Sequence, residues 1–172
     1  KVVVDLPAGN GYTTEVLREV GAIPKAFDIF PNYFKIEGVE CAYSDIMQRI
    51  ELEDSVADVA ICQEGIEHFS DQYKVLKEFN RVLKKGGKLL ITTPNYSGIR
   101  SRMSYFLSES EHYKKFMPPN EWDSVWMNHP GNEKDIYFGH IFLIGATKLR
   151  ALGKLSGFKL VQSHPTENKS TS

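Results

Sequence analysis

Apolar positions along the chain fall into short β-branched runs that end in a polar residue, separated by stretches with helical spacing. Val2-Val3-Val4-Asp5 reads as a buried strand that breaks into the turn Leu6-Pro7-Ala8-Gly9-Asn10-Gly11. A helix is predicted next, capped by Thr13 or Thr14, with Val16, Leu17 and Val20 on one face and its end at Gly21. Residues 25–28 form a second strand ending in Asp28, and residues 39–43 a third, followed by Asp45. Residues 57–62 form a fourth, followed by Gln63-Glu64-Gly65. The best-defined helix starts at Ser70 and carries the stripe Val75, Leu76, Phe79, Val82 and Leu83. Lys84 and Lys85 suit its C-terminal end, and Gly86-Gly87 stops it. A fifth strand, 88–93, closes at Pro94-Asn95, and a last helix, 147–156, ends at Gly157 before a strand at 158–162.

Strands alternating with helices predict an α/β fold: a Rossmann-like, doubly wound, mostly parallel sheet with helices on both faces. The exception is 96–139, an aromatic-rich segment holding Trp122, Trp126 and four of the eight tyrosines. It is too long for an ordinary connection and reads as an insertion over the C-terminal edge of the sheet. The expected organisation is one domain over 1–172, with a core in 1–95, the inserted segment in 96–139, and a C-terminal helix and strand in 140–164.

Charge adds a restriction. With 21 basic and 22 acidic side chains the net charge is −1, which argues against a nucleic-acid partner. No stretch is apolar enough to span a bilayer, and a cytoplasmic location is expected. The chain opens on Lys1 rather than Met, which suggests trimmed termini. Cys41 and Cys62 sit in apolar stretches without C-x-x-C spacing and are expected to be reduced thiols. Oligomeric state is not legible.

In an open α/β sheet, ligands bind beyond the carboxyl ends of the strands. Here Asp5, Asp28, Asp45 and Gln63 stand at or just past the ends of the first four. A row of polar groups across four strand ends suits a ligand with an amino-acid end, a ribose and a base. The run Asp5–Gly11, the acids Asp28 and Asp45-Ile46, the stretch Asp58–His68 and the signature Arg81–Ile91 together resemble the class I S-adenosylmethionine-dependent methyltransferases. The resemblance covers about the first 95 residues, and 139–160 more weakly. Pro7-Ala8 stands where a Gly-Cys pair is commoner in that family.

The resemblance implies S-adenosyl-L-methionine as cofactor. Asp5, Pro7, Ala8, Gly9 and Gly11 would line its methionine end, and Asp28 would accept from the ribose hydroxyls. Asp45 and Ile46 would hold the adenine, with Gln63 at the fourth strand end. Methyl transfer to oxygen is expected, on a small, glycan-linked or lipid-linked acceptor. The alternatives are a nicotinamide-dependent oxidoreductase, against which Thr14 stands in place of the third glycine of G-x-G-x-x-G, and a cofactor-binding domain without turnover.

Removing a proton from an oxygen acceptor needs a base or a metal. Glu64, Glu67 and His68 are spaced i, i+3, i+4 and would share a face if helical. His68 is the candidate base, oriented by Glu64 or Glu67, with His140 as a further candidate. These carboxylates and imidazoles suit a divalent cation, as in metal-dependent O-methyltransferases that the pattern also resembles. The metal-free reading is adopted, because the Glu-His pair is also common in metal-free relatives. Tyr96, Tyr105, Phe106, Trp122 and Trp126 form either the acceptor pocket or a small core, the latter favoured for the first three. His112 and His129 are expected as surface or capping residues, and Arg100, Arg102, Lys114 and Lys115 on a solvated face.

Overall fold

A computed structural model describes residues 1–110, 112, 118, 120–127 and 136–164. His129, Lys114, Lys115 and the tail from Glu167 lie outside the described residues. Five strands form one parallel sheet in the order β3-β2-β1-β4-β5: β1 (Val2–Asp5), β2 (Ile23–Asp28), β3 (Cys41–Tyr43), β4 (Ala57–Gln63) and β5 (Leu83–Thr92). The order reverses at β1, so the crevice expected to hold a ligand lies beyond β1, between the ends of β2 and β4. Helix α1 (Tyr12–Glu19) joins β1 to β2, and α2 (Gln72–Val82) joins β4 to β5. After β5 come α3 (Ile99–Ser108), the short α4 (Glu121–Ser124) and α5 (Ala146–Leu155).

The stripe expected on α2 is buried: Val75, Leu76, Phe79 and Val82. Val75, Phe79 and Val82 pack in the core with Val4, Leu6, Ala60, Cys62 and Ile144. Cys62 is buried and Cys41 half-buried, both as free thiols. Among the described residues no helix is long and apolar enough to cross a membrane.

Several boundaries differ from the sequence expectation. The cap of α2 is Asp71, whose carboxylate accepts from Lys74 N at 2.9 Å, rather than Ser70. The helix ends at Val82, and Gly86-Gly87 lies inside β5 rather than stopping the helix. Leu83 pairs with Ala57 and Lys88 with Val59, so residues 84–87 bulge out of the ladder. Gly86 supplies φ +81° there, and a Cβ on Gly87 would stand 2.9 Å from the Lys84 carbonyl. Lys84 turns back to Asp58 at 2.8 Å, whose other oxygen accepts from Val2 N. The strand expected at 158–162 does not form: β5 ends the sheet, and Leu160 and Val161 are exposed. Phe158 alone packs against the core.

Arg81 holds the segment before β4. Its guanidinium donates to the carbonyls of Ile50 and Leu52 and to Glu78 and Asp54. Glu78 in turn accepts from Ile50 N at 2.7 Å, and Arg81 keeps its carboxyl below the usual range. Replacing Arg81 with Met strands two carbonyls and a half-buried carboxylate. The expected loss is about 2–4 kcal/mol, measured by denaturant unfolding against the wild type.

Candidate active site

The polar strand ends meet around the first turn. Asp5 is fully buried at the end of β1, and its Oδ2 accepts from Thr14 Oγ1 at 2.6 Å. Thr14 is therefore not the cap of α1. That position is Gly11, at φ +92° with no side-chain hydrogen bond, and Thr13 donates to Gln63 at 2.7 Å instead. Burial, opposed by the Thr14 bond and reinforced by Asp28, pushes the Asp5 carboxyl up to about 6. Its Oδ1 has no partner.

Asp28 is drawn onto the glycine turn. Its Oδ2 accepts from Gly9 N and its Oδ1 from Phe30 N, both at 2.8 Å. The two expected glycines then part company. Gly9, at φ +54°, has open space where a Cβ would sit, whereas a Cβ on Gly11 would stand 2.4 Å from Ile36 and 2.8 Å from Phe34. Gly9 offers bare backbone to a ligand, and Gly11 is needed for packing. Pro7, after a cis Leu6-Pro7 bond, packs on Gly65, where a Cβ would stand 2.3 Å from the proline ring. Ala8 is buried, and its N–H donates to Phe27 O at 2.9 Å.

Asp45 follows β3 and closes its own turn, accepting from Met47 N at 2.9 Å and Gln48 Nε2 at 3.2 Å. It is joined to the Asp28 end of β2 through Ser44 N, which donates to Asp28 O at 2.9 Å. Ile46, expected against an adenine ring, is 2% exposed and packs in the core cluster. The apolar residue after Asp45 turns inward because the tight turn directs it under the sheet edge, among Ile50 and the other core residues.

The residues beyond β4 do not form the expected helix. Glu64 is exposed at φ +45°, its N–H donating to Thr92 O and Oγ1, and only Ile66–His68 makes a 3-10 turn. Glu64 therefore does not share a face with Glu67 and His68. Glu67 is fully buried: Oε2 accepts from Thr93 at 3.0 Å and Oε1 has no partner. Burial raises its carboxyl to about 7.

His68 Nδ1 lies 3.1 Å from Gly139 O, which assigns the proton to Nδ1, and the Tyr137 backbone also bonds the ring. Burial lowers the His68 imidazole below its ordinary range. Its ring meets that of His140 edge-on at 4.9 Å, and His140 lies 5.0 Å from Trp126, which stacks on His112 at 4.3 Å. His112 is thus buried rather than at the surface. Trp126 joins this row of rings, while Trp122 is half-exposed. Burial, then the neighbouring His68 and His112, push His140 down to about 4. Its Nδ1 is buried without a partner.

Donor atoms of Glu67, His68 and His140 lie within 4.8 Å of one another. Of the expected set His68, Glu64 and His140, the two histidines come together here, and the carboxylate beside them is Glu67 rather than Glu64. The role of Gly65 as the seat of Pro7 was missed, although a glycine two residues past a strand end is a visible signal.

Residues 136–142 close the site from above. Phe138 stacks on Phe30 at 5.2 Å, His140 N donates to Val125 O at 2.7 Å, and Phe142 N to Glu67 O at 3.2 Å. Gln72 fixes the underside, donating to Ile66 O and Phe142 O.

A parallel sheet with its switch at β1 and an open glycine turn tied to a β2 acid, with a cluster of Glu67, His68 and His140 beyond β4, define a class I methyltransferase fold. A methyltransferase domain family matches residues 1–163, and the chain belongs to it. Its cofactor is S-adenosylmethionine, and the nicotinamide alternative falls away. Thr14, whose hydroxyl holds Asp5, fills the position a third glycine would leave bare. A ubiquinone biosynthesis O-methyltransferase from Xanthomonas oryzae is 27% identical over 145 residues, covering 74% of this chain and 60% of that protein. The chain thus spans under two thirds of that relative's length. An S-adenosylmethionine-dependent methyltransferase from Archaeoglobus fulgidus shares the fold at 16% identity and a TM-score of 0.63, covering 92% of this chain and 61% of that one. A Pyrococcus horikoshii protein does so at 24% identity and a TM-score of 0.62, covering 90% and 71%.

The raised Asp5 gives a pH signature with a definite sign. A carboxyl whose folded pKa exceeds its unfolded value contributes stability below the unfolded pKa, and that stability is lost as pH rises through the folded one. The melting temperature should therefore carry a downward component between pH 3.8 and about 6. Asp5→Asn should remove that component. The check is the difference between wild-type and variant melting temperatures across that window.

Proposed function

We propose that the chain is one methyltransferase domain over 1–172 that methylates an oxygen of a small, glycan-linked or lipid-linked acceptor in the cytoplasm. Residues 1–95 would hold the cofactor, 96–139 shape the acceptor side, and 140–164 complete the domain. The observation that carries the oxygen reading is His68, a half-buried imidazole whose Nδ1 is fixed by Gly139 O at 3.1 Å beside Glu67 and His140, with burial favouring its neutral, proton-accepting form. The O-methyltransferase name of the Xanthomonas relative supports it.

The bound cofactor supplies a methyl group already activated on a sulfonium. The protein's part is to position and to exclude water. Gly9 offers backbone close to the cofactor, with Asp5, Pro7, Ala8 and Gly11 building the turn. Asp28 has lone pairs left for ribose hydroxyls beyond those used by Gly9 and Phe30, and Asp45 and Gln63 mark the flanking strand ends. His68 takes the acceptor proton, and His140 packs against its ring. Glu67 takes the neighbouring carboxylate role in preference to Glu64, which stands outside the trio.

A second reading is favoured by the unpartnered Glu67 Oε1 and His140 Nδ1. With His68 they fit a divalent cation, which would bind the acceptor oxygen and lower its pKa. The two readings separate by experiment.

Asp28→Asn should weaken S-adenosylmethionine binding about tenfold or more by calorimetry, while NAD shows no binding to either protein. Absence of cofactor binding by the wild type would sink the assignment. His68→Gln should lower turnover against an acceptor panel by about 10²-fold or more with cofactor affinity little changed. Turnover lost on chelation, restored by a divalent cation and abolished in His140→Ala selects the metal reading. Turnover indifferent to both selects the base alone. A chain that binds cofactor but turns over no acceptor supports the non-catalytic alternative.

A further inference from the structure

Helix α3 is built inside out. Its buried positions are Ser101 and Ser104, with Ser108 half-buried, and these fall on one stripe at about 100° per residue. Their hydroxyls donate to Asn95 O at 3.3 Å, His112 O at 3.2 Å and Ser104 O at 2.9 Å. The opposite pole carries Ile99, Met103 and Phe106, exposed by 81%, 44% and 81%, with the half-exposed Leu107 beside them. On the helical wheel Arg100 and Arg102 flank this ridge, one on each side, and both are exposed. The helix contains no acidic residue. Tyr105 and Phe106, expected in a small core, are therefore on the outer surface.

A surface helix normally buries its apolar stripe and shows its polar one. Here the buried stripe is made of serines bonded to the segments just before and after the helix and within it, so the apolar side chains stand in water at a cost. A ten-residue helix is about 15 Å long. With a helix width of about 10 Å this face covers on the order of 150 Å², well short of the roughly 800 Å² per side of a stable protein interface, which disfavours a second copy as occupant. An apolar ridge between two arginines matches another surface. Their stems lie along acyl chains while the guanidinium groups reach lipid phosphates. The helix also begins a short turn past the C-terminal end of β5, the edge of the sheet that carries the site.

We propose that α3 docks the protein on anionic bilayer surfaces, lying in the headgroup layer with Ile99, Met103 and Phe106 directed into the acyl boundary and Arg100 and Arg102 on phosphates. This goes beyond the acceptor reading and holds whatever the acceptor is. The test is co-sedimentation of the protein with vesicles of phosphatidylcholine alone or mixed with phosphatidylglycerol. The protein should partition onto the mixed vesicles and less onto phosphatidylcholine, and salt should weaken the binding. The double variant Ile99→Ser, Phe106→Ser should lower partitioning by about tenfold or more. Arg100→Gln with Arg102→Gln should remove the preference for phosphatidylglycerol. Melting temperature and cofactor binding, read in parallel, should not move, because these side chains face solvent. No wild-type partitioning, or equal partitioning by both variants, would overturn the proposal. So would self-association that the apolar variant abolishes while vesicle binding is absent. A protein that partitions as expected but binds no S-adenosylmethionine would overturn only the functional reading.

Discussion

Two backbone N–H groups, Gly9 from the turn after β1 and Phe30 from the turn after β2, converge on the carboxylate of Asp28 at 2.8 Å each. Parallel strands have no hairpin to tie their ends, and sheet twist tends to spread them. Asp28 closes the β1–β2 side, while Leu6 N donates to Ile61 O and secures the turn to β4. The glycine turn is therefore shaped before any ligand arrives, which lowers the ordering cost of binding. Asp5, one layer below, is held by Thr14 from α1 and stays buried with an oxygen unpartnered. The first turn is thus fixed by carboxylates from two strands, one accepting backbone and the other accepting a helix hydroxyl.

The other half of the site depends on the segment 136–142. Its backbone contacts to His68, Glu67 and Val125, and the stacking of Phe138 on Phe30, join the ends of β2 and β4 across the switch point. The closure removes water from Glu67, His68 and His140. Each then shifts toward its neutral form, with Glu67 up to about 7 and His140 down to about 4. Beside His68, the buried Glu67 Oε1 and His140 Nδ1 are without partners and so under-satisfied. A proton taken from an acceptor or a cation relieves the same deficit, which is why one geometry supports both chemical readings.

Much of this was legible because strand ends in such a sheet are marked twice, by the stop of a β-branched run and by the polar residue that follows. Asp5, Asp28, Asp45 and Gln63 were singled out in that way, whereas His68 was singled out by its spacing from Glu64 and Glu67. What failed involved residues whose local signal has two outcomes. Thr14 after a glycine turn reads as a helix cap, yet its hydroxyl goes to Asp5. Gly86-Gly87 after a helical stripe reads as a stop, yet it forms a bulge because β4 already occupies the adjacent edge. The spacing of Glu64, Glu67 and His68 is helical, but the turn starts only at Ile66, too late to include Glu64. Residues 158–162 have strand composition, but a strand also needs a free neighbour within reach, and that is tertiary information.

The glycine motif shows most clearly why a matched pattern and a physical role are different things. Gly9 and Gly11 both need positive φ, so a pattern treats them alike. Their surroundings do not. Open space lies over Gly9, and the conformation there is maintained by Asp28 taking its N–H. Phe34 and Ile36 lie over Gly11, where a side chain would displace the loop between β2 and β3. One glycine answers to the ligand and the other to the protein's own packing. The same division runs through the acids, since Asp28 ties the glycine turn to the end of β2 while Asp45 closes its own loop. In the proposed reading, affinity for the cofactor rests most directly on Gly9 and Asp28, while Gly11 and Asp45 act by packing and by closing a loop.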